Sequence, residues 1–224
     1  MTTHASAEPA PLLLGFGGLS ESGKDTAADY LVKTRGFAKV NMSEPIDAAL
    51  YALNPIIRAR LEPQRTAGRM WGWILGRRPR IITERYQEIR DAVGYTAAKR
   101  IPEVRTLLQR IGVKVGRNIM GDDVWVNIAA RSIQKLRDDG IPICVSGIRF
   151  TDEQSLITRL GGTLVWVDRP GWVPEGSSGT SKDITEVSLD SSCFHLILGN
   201  TGAVADLEAS ADRLINQLES RVAA

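Results

Sequence analysis

The sequence predicts an α/β fold in which helices cover both faces of a parallel β-sheet. Short apolar segments alternate with amphipathic segments of helix length along most of the chain, an order typical of parallel sheets. The 224 residues, 43% of them hydrophobic, suffice for one such domain with a sizeable core. With no repeat or second folding unit recognisable, residues 12–224 are interpreted as a single domain that follows a flexible tail, residues 1–11.

The predicted elements follow in a regular order. An apolar strand at residues 12–16 leads through a glycine-rich loop into a helix that ends at Gly36, and residues 37–41 form a second strand. Beyond residue 101 we predict helices at 102–111, 123–136, 151–160 and 203–222, and strands at 141–146, 163–167 and 194–198.

Two segments break this alternation. Residues 43 to about 101 contain four prolines and a basic cluster at residues 76–80, and are interpreted as helices joined by exposed loops and inserted between core elements. Residues 169–190 are rich in Gly, Ser, Pro and charge, which predicts a long loop.

Composition argues against several classes of protein. A net charge of +2, from 28 basic and 26 acidic residues, does not favour a nucleic-acid binder. No apolar run approaches the ~20 residues of a membrane span, and the first residues do not resemble a signal peptide. Cys144 and Cys193 lie far apart, which argues against a disulfide framework or zinc site and favours a reducing cytoplasm.

The segment GLSESGKDT, residues 18–26, is the most informative, and we call it the phosphate loop. Gly18 and Gly23 permit backbone angles that side chains would obstruct, so that N–H groups and the start of the helix can converge on phosphate oxygens. Lys24 can bridge the β- and γ-phosphates of ATP. The alternative is a glycine turn that enters a helix and binds no ligand.

One position departs from the usual pattern G-x-x-x-x-G-K-[ST], because Asp25 follows Lys24. Asp25 could hold Mg²⁺ through its carboxylate or a bound water, and Thr26 is then expected to touch a distal phosphate. The predicted ATP contacts in the loop are Gly18, Ser22, Gly23, Lys24, Asp25 and Thr26.

The GKDTAAD segment resembles the phosphate loop of phage-type deoxynucleoside monophosphate kinases, within the P-loop nucleoside monophosphate kinases. The resemblance continues in order through most of residues 12–200. Its further blocks are MSEPI (42–46), RTLLQRIG (105–112), Arg117, GDDVWV (121–126) and IRFTDE (148–153).

The resemblance implies a P-loop kinase fold with an acceptor-binding helical insertion, about residues 44–101, and a lid, about residues 169–190. It implies ATP and Mg²⁺ as cofactors and a deoxynucleoside monophosphate as the phosphoryl acceptor. The expected partner is thus a small nucleotide, not a nucleic acid or a membrane, and a homodimer is left open. The expected location is the cytoplasm, that of the host if the protein is encoded by a phage.

The resemblance also implies that Arg117, Trp125, Arg149 and Glu153 recognise the acceptor. Arginines offer permanently charged forks to phosphate oxygens, and Trp125 could stack on a base. The alternatives are a core position for Trp125 and a helix-surface ion pair between Glu153 and Arg149. The predicted acceptor contacts also include Ser20, Ser43, Arg105 and Gln109.

Residues near the ends of strands extend the predicted site. Arg169, at the start of the lid, is expected to act on phosphates together with Lys24 and Arg149 as a catalytic residue. Asn200 lies where such folds often contact adenine, although residues 200–202 could be a plain turn. His195 lies in an apolar strand and is interpreted as structural.

Two departures from the family pattern keep other functions open. Many members carry an Asp just after the strand that precedes the V-R-F motif, where this chain has Val145-Ser146-Gly147-Ile148, and residues 183–186 match the lid motif weakly. The alternatives are a P-loop kinase for another acceptor, such as dephospho-coenzyme A or a phosphorylated isoprenoid precursor, a regulatory or assembly ATPase, and a protein that binds nucleotide without turnover.

Overall fold

A computed structural model describes residues 10–61, 81–173 and 189–222 of the chain. The chain divides into two compact units, the first formed by Met1–Met42 with Asp123–Ala224 and the second by Ser43–Asp122. Most of the predicted tail and of the predicted lid lies outside the described residues, as do the basic cluster at residues 76–80 and the weak lid motif at residues 183–186.

Strands and helices alternate in the first unit, whereas the second is mainly helical. In chain order the elements are β1 (Leu13–Gly17), α1 (Lys24–Arg35), β2 (Ala38–Asn41), α2 (Glu44–Leu53), β3 (Ile56–Leu61), β4 (Ile81–Arg85), α3 (Tyr86–Val93), α4 (Tyr95–Ala98), α5 (Pro102–Gln109), a π-helix (Arg110–Met120), α6 (Val124–Asp138), β5 (Ile143–Ile148), α7 (Thr151–Arg159), β6 (Thr163–Asp168), a 3₁₀ turn (Ser191–Cys193), β7 (Leu196–Gly199) and α8 (Val204–Val222).

The first unit contains a five-stranded sheet in the order β2-β5-β1-β6-β7. All four strand pairings are parallel, which confirms the predicted fold class. Strand β1 lies at the centre, and Leu14 is in register with Cys144 of β5 and Thr163 of β6. Because ligands of open parallel sheets bind beyond the carboxyl ends of the strands, the loop after β1 occupies the expected ligand-binding edge.

Apolar side chains cover both faces of this sheet, as expected for parallel strands. Helices α1 and α8 pack with Leu14 and Phe16 on one face, and helices α6 and α7 pack with Leu13 on the other. Neighbouring residues of β1 thus point to opposite cores, as the two-residue period of a strand requires. The sheet is therefore held between two helical layers.

The second unit contains a small sheet that the sequence analysis did not predict. Strands β3 and β4 pair antiparallel in a segment that was interpreted as helices and loops. In β3 Ile57, Ala59 and Leu61 alternate with Arg58 and Arg60, which is the period of a strand. The prolines at positions 55 and 63 on either side favoured the interpretation as loops. Helix α5 also continues into the π-helix, well beyond its predicted end at residue 111.

One smaller difference concerns the bounds of the last strand. Strand β7 is Leu196–Gly199 rather than residues 194–198, because a 3₁₀ turn occupies Ser191–Cys193.

No helix within the described part of the chain is long and apolar enough to cross a membrane. Cys144 and Cys193 are both free thiols, and burial raises the pKa of Cys144 to about 12.

Tyr86, at the start of α3, is fully buried in the second unit. Its hydroxyl donates a hydrogen bond to the buried carboxylate of Asp47 in α2, whose other oxygen lies 3.3 Å from Nη2 of Arg90. Burial, followed by the bond to Asp47, raises the pKa of Tyr86. This bond therefore joins α2 to α3 through polar groups that water cannot reach.

We expect Tyr86→Phe to lower the free energy of unfolding by about 2–3 kcal/mol, because a buried carboxylate loses a donor. Tyr51→Phe is the matched control, since the Tyr51 hydroxyl donates to the exposed Asp91 carboxylate at 2.9 Å, where water can replace it. The measurement is urea denaturation of both variants. Equal losses would contradict the role assigned to Tyr86.

Candidate active site

The phosphate loop joins β1 to α1, as the motif predicts. Gly18 (φ +143°), Glu21 (φ +60°) and Gly23 (φ +100°) all have positive φ. A Cβ on Gly18 would lie 2.6 Å from the carbonyl oxygen of Val167. A Cβ on Gly23 would lie 2.7 Å from Nδ2 of Asn200. For a residue other than glycine, such as Glu21, a positive φ costs about 1–3 kcal/mol, and strained residues of this kind cluster at active sites and ligand clamps.

Lys24 and Asn200 hold two carbonyl groups of the loop. Lys24 is only 6% exposed, and its Nζ donates to the carbonyl oxygen of Leu19 at 3.0 Å. Asn200 follows β7, and its Nδ2 donates to the carbonyl oxygen of Ser22 at 2.8 Å. Asn200, predicted to contact adenine, is therefore placed against the phosphate loop in this structure.

Arg169 and Trp172, which follow β6, hold the carbonyl groups of Glu21 and Ser20. Nε1 of Trp172 donates to the carbonyl oxygen of Ser20 at 2.9 Å. Nη1 of Arg169 donates to that of Glu21 at 3.3 Å, and its guanidinium lies 4.4 Å from the centre of the Trp172 ring. The predicted catalytic residue Arg169 thus supports the loop backbone.

Four successive carbonyls, those of residues 19–22, therefore accept side-chain hydrogen bonds. In a trans peptide the C=O and the N–H point in opposite directions. The N–H groups of residues 20, 21 and 23 thus point away from the side chains that hold the carbonyls, whereas the N–H of Ser22 donates to the carbonyl oxygen of Leu19 at 3.2 Å. The first N–H groups of α1 also have no acceptor within the helix. This backbone can receive an anion.

Asp25 lies at the start of α1 beside two lysines. Its carboxylate is 3.1 Å from Nζ of Lys39, which also lies 2.8 Å from the carboxylate of Asp29. Burial acts to raise the pKa of Asp25, but Lys39 and then Lys24 outweigh it, so the pKa lies below its usual value. Asp25 is therefore ionised at neutral pH, and its side chain is 55% exposed.

Two buried hydroxyl groups near the loop lack partners. Ser22 is 1% exposed and Ser146, in β5, is fully buried, and neither Oγ has a hydrogen-bond partner within the described residues. An unsatisfied buried hydroxyl costs about 1–3 kcal/mol. Such groups are explained where a ligand, ion or water supplies the missing bond, so the site suits bound phosphate and Mg²⁺.

No three His, Cys, Asp or Glu side chains cluster as a metal site in the described ranges. In phosphoryl-transfer sites one or two protein groups bind Mg²⁺, and substrate phosphates and water complete its shell.

A shallow cleft, open to solvent, adjoins the loop. Arg149, which follows β5, is half-buried in its wall. The lining residues are Gly18, Leu19, Ser20, Ile148, Arg149, Trp166 and Leu189.

Glu153 and Trp125 are both buried in the first unit. Glu153 is 5% exposed, and its carboxylate accepts the backbone N–H of Arg149 at 2.7 Å and of Phe150 at 3.2 Å. It therefore caps α7 and fixes the backbone of Arg149, and the alternative of a surface ion pair is wrong. Trp125, in α6, is 7% exposed, a burial that fits its alternative interpretation as a core residue.

The remaining predicted acceptor residues lie in the second unit. Ser43 Oγ accepts a hydrogen bond from the Tyr95 hydroxyl at 3.1 Å. Arg105 is exposed on α5, and Gln109 is half-buried at the end of that helix. Arg117 lies in the π-helix, where its Nη1 donates to the carbonyl oxygen of Asp122 at 3.1 Å.

Sequence reasoning missed Trp172 and Lys39. Trp172 stood in a segment interpreted as an irregular loop, and no local pattern indicates which carbonyl an indole will reach. Lys39 had a weak signal, because a lysine within an apolar strand invites a search for a buried acid. His195 has the structural role predicted for it, since its Nδ1 accepts the N–H of Leu164 at 3.1 Å.

We expect Gly23→Ala to abolish ATP binding, because its Cβ would displace Asn200 and distort the loop. Gly36→Ala is the control at the opposite end of α1, since Gly36 also has positive φ (+68°) but no atom lies within 4 Å of its Cβ position. It should cost about 1 kcal/mol of stability and leave binding intact. Calorimetric titration measures the affinity of each variant for ATP, and thermal melting measures its stability. Equal ATP affinities of Gly23→Ala and Gly36→Ala would contradict the prediction.

Comparisons with known proteins bear on the family of the chain. A model of the deoxynucleotide monophosphate kinase family matches residues 78–211. A protein of Acanthamoeba polyphaga mimivirus, named "Putative deoxynucleotide monophosphate kinase", is 26% identical over 204 residues, which cover 87% of this chain and 91% of the viral protein.

Solved structures with similar folds are kinases of other substrates. The APS kinase of Mycobacterium tuberculosis is 15% identical, with 94% of this chain and 99% of that chain covered and a TM-score of 0.45. The dephospho-CoA kinase of Campylobacter jejuni is 12% identical, with 92% of this chain and 96% of that chain covered and a TM-score of 0.43. Scores this low support no conclusion about function.

The family match, by contrast, spans more than half of the chain, and the chain belongs to the deoxynucleotide monophosphate kinase family.

Proposed function

We propose that this protein transfers the γ-phosphoryl group of ATP to a deoxynucleoside monophosphate and so forms the diphosphate. The observation that carries the proposal is the phosphate loop, whose carbonyls are held by side chains while Lys24 is buried beside it. Only the bond of Lys24 has to change when ATP binds, and the other three donors keep the loop preorganised for the charge that develops, which is the main source of catalysis in phosphoryl transfer.

In this proposal the triphosphate of ATP lies against the N–H groups of the loop and the start of α1. Lys24 is 3.0 Å from the Leu19 carbonyl oxygen and exchanges that contact for phosphate oxygens. Ser22, whose buried hydroxyl lacks a partner among the described residues, donates to a phosphate, and Thr26 touches a distal one. Asn200 supports the loop and remains the proposed neighbour of adenine.

Asp25 is the proposed protein ligand of Mg²⁺. Its carboxylate is ionised and partly exposed at the start of α1, and carboxylate oxygen is a ligand that Mg²⁺ prefers. When bound, the ion neutralises charge on the phosphates. Lys39, which now pairs with Asp25, can retain its ion pair with Asp29 when the metal binds.

Arginines are the proposed contacts of the acceptor phosphate. Arg149 lines the cleft beside the loop, and Glu153 fixes its backbone. Arg105 and Arg117 of the second unit, with Ser43 and Gln109, are the further proposed acceptor contacts.

Arg169 is proposed to contact a phosphate with the donors that it does not use for the Glu21 carbonyl. No covalent intermediate is needed, because the acceptor phosphate is itself a nucleophile, and catalysis then rests on alignment and charge. A reaction that consumes ATP and nucleotides fits the cytoplasm, or that of a host cell if the gene is viral.

Measurement of ADP release tests this function. The protein is mixed with ATP and Mg²⁺ and with dAMP, dGMP, dCMP or dTMP, then with the ribonucleotides and with dephospho-coenzyme A. We expect turnover with at least one deoxynucleotide and its loss by at least about 100-fold in Lys24→Met, which keeps the apolar stem but removes the charge. Turnover with dephospho-coenzyme A alone would reassign the acceptor, and ATP binding without any turnover would exclude a kinase.

We expect Arg149→Lys to raise the KM for the acceptor roughly ten-fold, equivalent to about 1.4 kcal/mol, because lysine cannot form a bidentate fork. The KM for ATP should not change. Arg159→Lys, at an exposed position at the end of α7, is the matched control. An unchanged acceptor KM in Arg149→Lys would remove Arg149 from the acceptor site.

A further inference from the structure

In common phosphate loops, Mg²⁺ is held by the hydroxyl that follows the loop lysine and by an Asp on a neighbouring strand. This chain has Asp25 after the lysine and Ser146 on the neighbouring strand. We propose that the two metal-binding groups have exchanged places, so that Asp25 supplies the charge and Ser146 the hydroxyl, directly or through one water. The proposal rests on the proposed function insofar as the bound nucleotide is a Mg²⁺ complex.

The sheet places Ser146 where this role requires it. Strand β5 is a direct parallel neighbour of β1, and Ser146 is in register with Phe16, two residues before the phosphate loop begins. On its other side Ser146 is in register with Asn41, the last residue of β2. Ser146 thus lies near the carboxyl ends of three adjacent strands.

Burial of Ser146 is the second and independent observation. The side chain is fully buried, yet its Oγ has no hydrogen-bond partner in the part of the chain that the structure describes. A hydroxyl without a role in ligand binding would usually bond to the backbone of its own or a neighbouring strand. A hydroxyl that lacks such a partner is suited to a ligand that arrives with the nucleotide.

The carboxylate of Asp25 approaches the same strands. It lies 3.1 Å from Nζ of Lys39 in β2, two residues before Asn41, which is in register with Ser146. The charged groups around this point are Lys24, Lys39 and Asp29. One carboxylate and one hydroxyl therefore converge beside the phosphate loop. The common arrangement uses the same two groups, but with the hydroxyl after the loop lysine and the carboxylate on the neighbouring strand.

An exchange of the two residues tests the proposal directly. The variants are Asp25→Ser, Ser146→Ala, Asp25→Ser with Ser146→Asp, and Asp25→Ser with Ser146→Ala. The measurement is the affinity for Mn²⁺ in the presence of ADP, determined by electron paramagnetic resonance. The affinity for ADP in EDTA is the metal-free reference. Asp25→Ser should weaken Mn²⁺ binding at least ten-fold and Ser146→Ala several-fold.

The double exchange decides between a metal-binding pair and two unrelated residues. Asp25→Ser with Ser146→Asp should return Mn²⁺ affinity to within about three-fold of the natural protein, since it rebuilds the common arrangement. Asp25→Ser with Ser146→Ala should remain weak. Unchanged affinity in Ser146→Ala overturns the proposal and leaves an ordinary buried water as the partner of Ser146.

Circular dichroism checks that the double exchange folds. If it does not fold, Ser146→Ala, which removes only one oxygen atom, tests the proposal on its own. The outcomes also separate this proposal from the function. Metal binding that follows the exchange, without turnover on any acceptor, supports the metal site and contradicts the kinase. Turnover with deoxynucleotides, together with a Mn²⁺ affinity that Ser146→Ala does not change, supports the kinase and contradicts the metal site.

Discussion

The orientation of the peptide groups in the phosphate loop is the constraint on which the rest of the structure depends. A loop that binds a polyanion must present N–H groups and turn its carbonyl oxygens elsewhere, and those oxygens need donors of their own. Here Lys24, Trp172, Arg169 and Asn200 supply the donors for residues 19–22. The conformation is therefore fixed by bonds on its far side, before any ligand contributes.

The order of strands explains how these donors come together. Trp172 and Arg169 follow β6, Asn200 follows β7, and both strands lie on one side of β1. Strand β5, with Ser146, lies on the other side. A parallel sheet collects the carboxyl ends of its strands at one edge, so that residues more than 100 positions apart serve a loop of nine residues.

Charge around α1 is balanced locally. Lys39 lies between Asp25 and Asp29 at 3.1 and 2.8 Å, and Lys24 is buried against the loop. A carboxylate at the start of a helix is favoured by the helix dipole, and the lysines keep it ionised. The departure from the common motif at Asp25 therefore does not leave an isolated charge.

The sequence by itself determined the alternation of strands and helices, the position of the phosphate loop and the family blocks around it. These depend on local periodicity and on glycines whose conformation no other residue adopts easily. The antiparallel pair β3 and β4 was missed, because the alternation of apolar and basic residues in β3 spans only five residues between two prolines.

Only the tertiary structure decided the roles of single side chains. Glu153 caps α7 instead of lying on its surface, Asn200 and Arg169 support the loop backbone, and Trp172 joins them. A hydrogen bond to a backbone carbonyl distant in the chain leaves no pattern in the sequence, because any donor of suitable reach can form it. The type of a side chain limits its chemistry, whereas its partner is set by the packing of strands and helices.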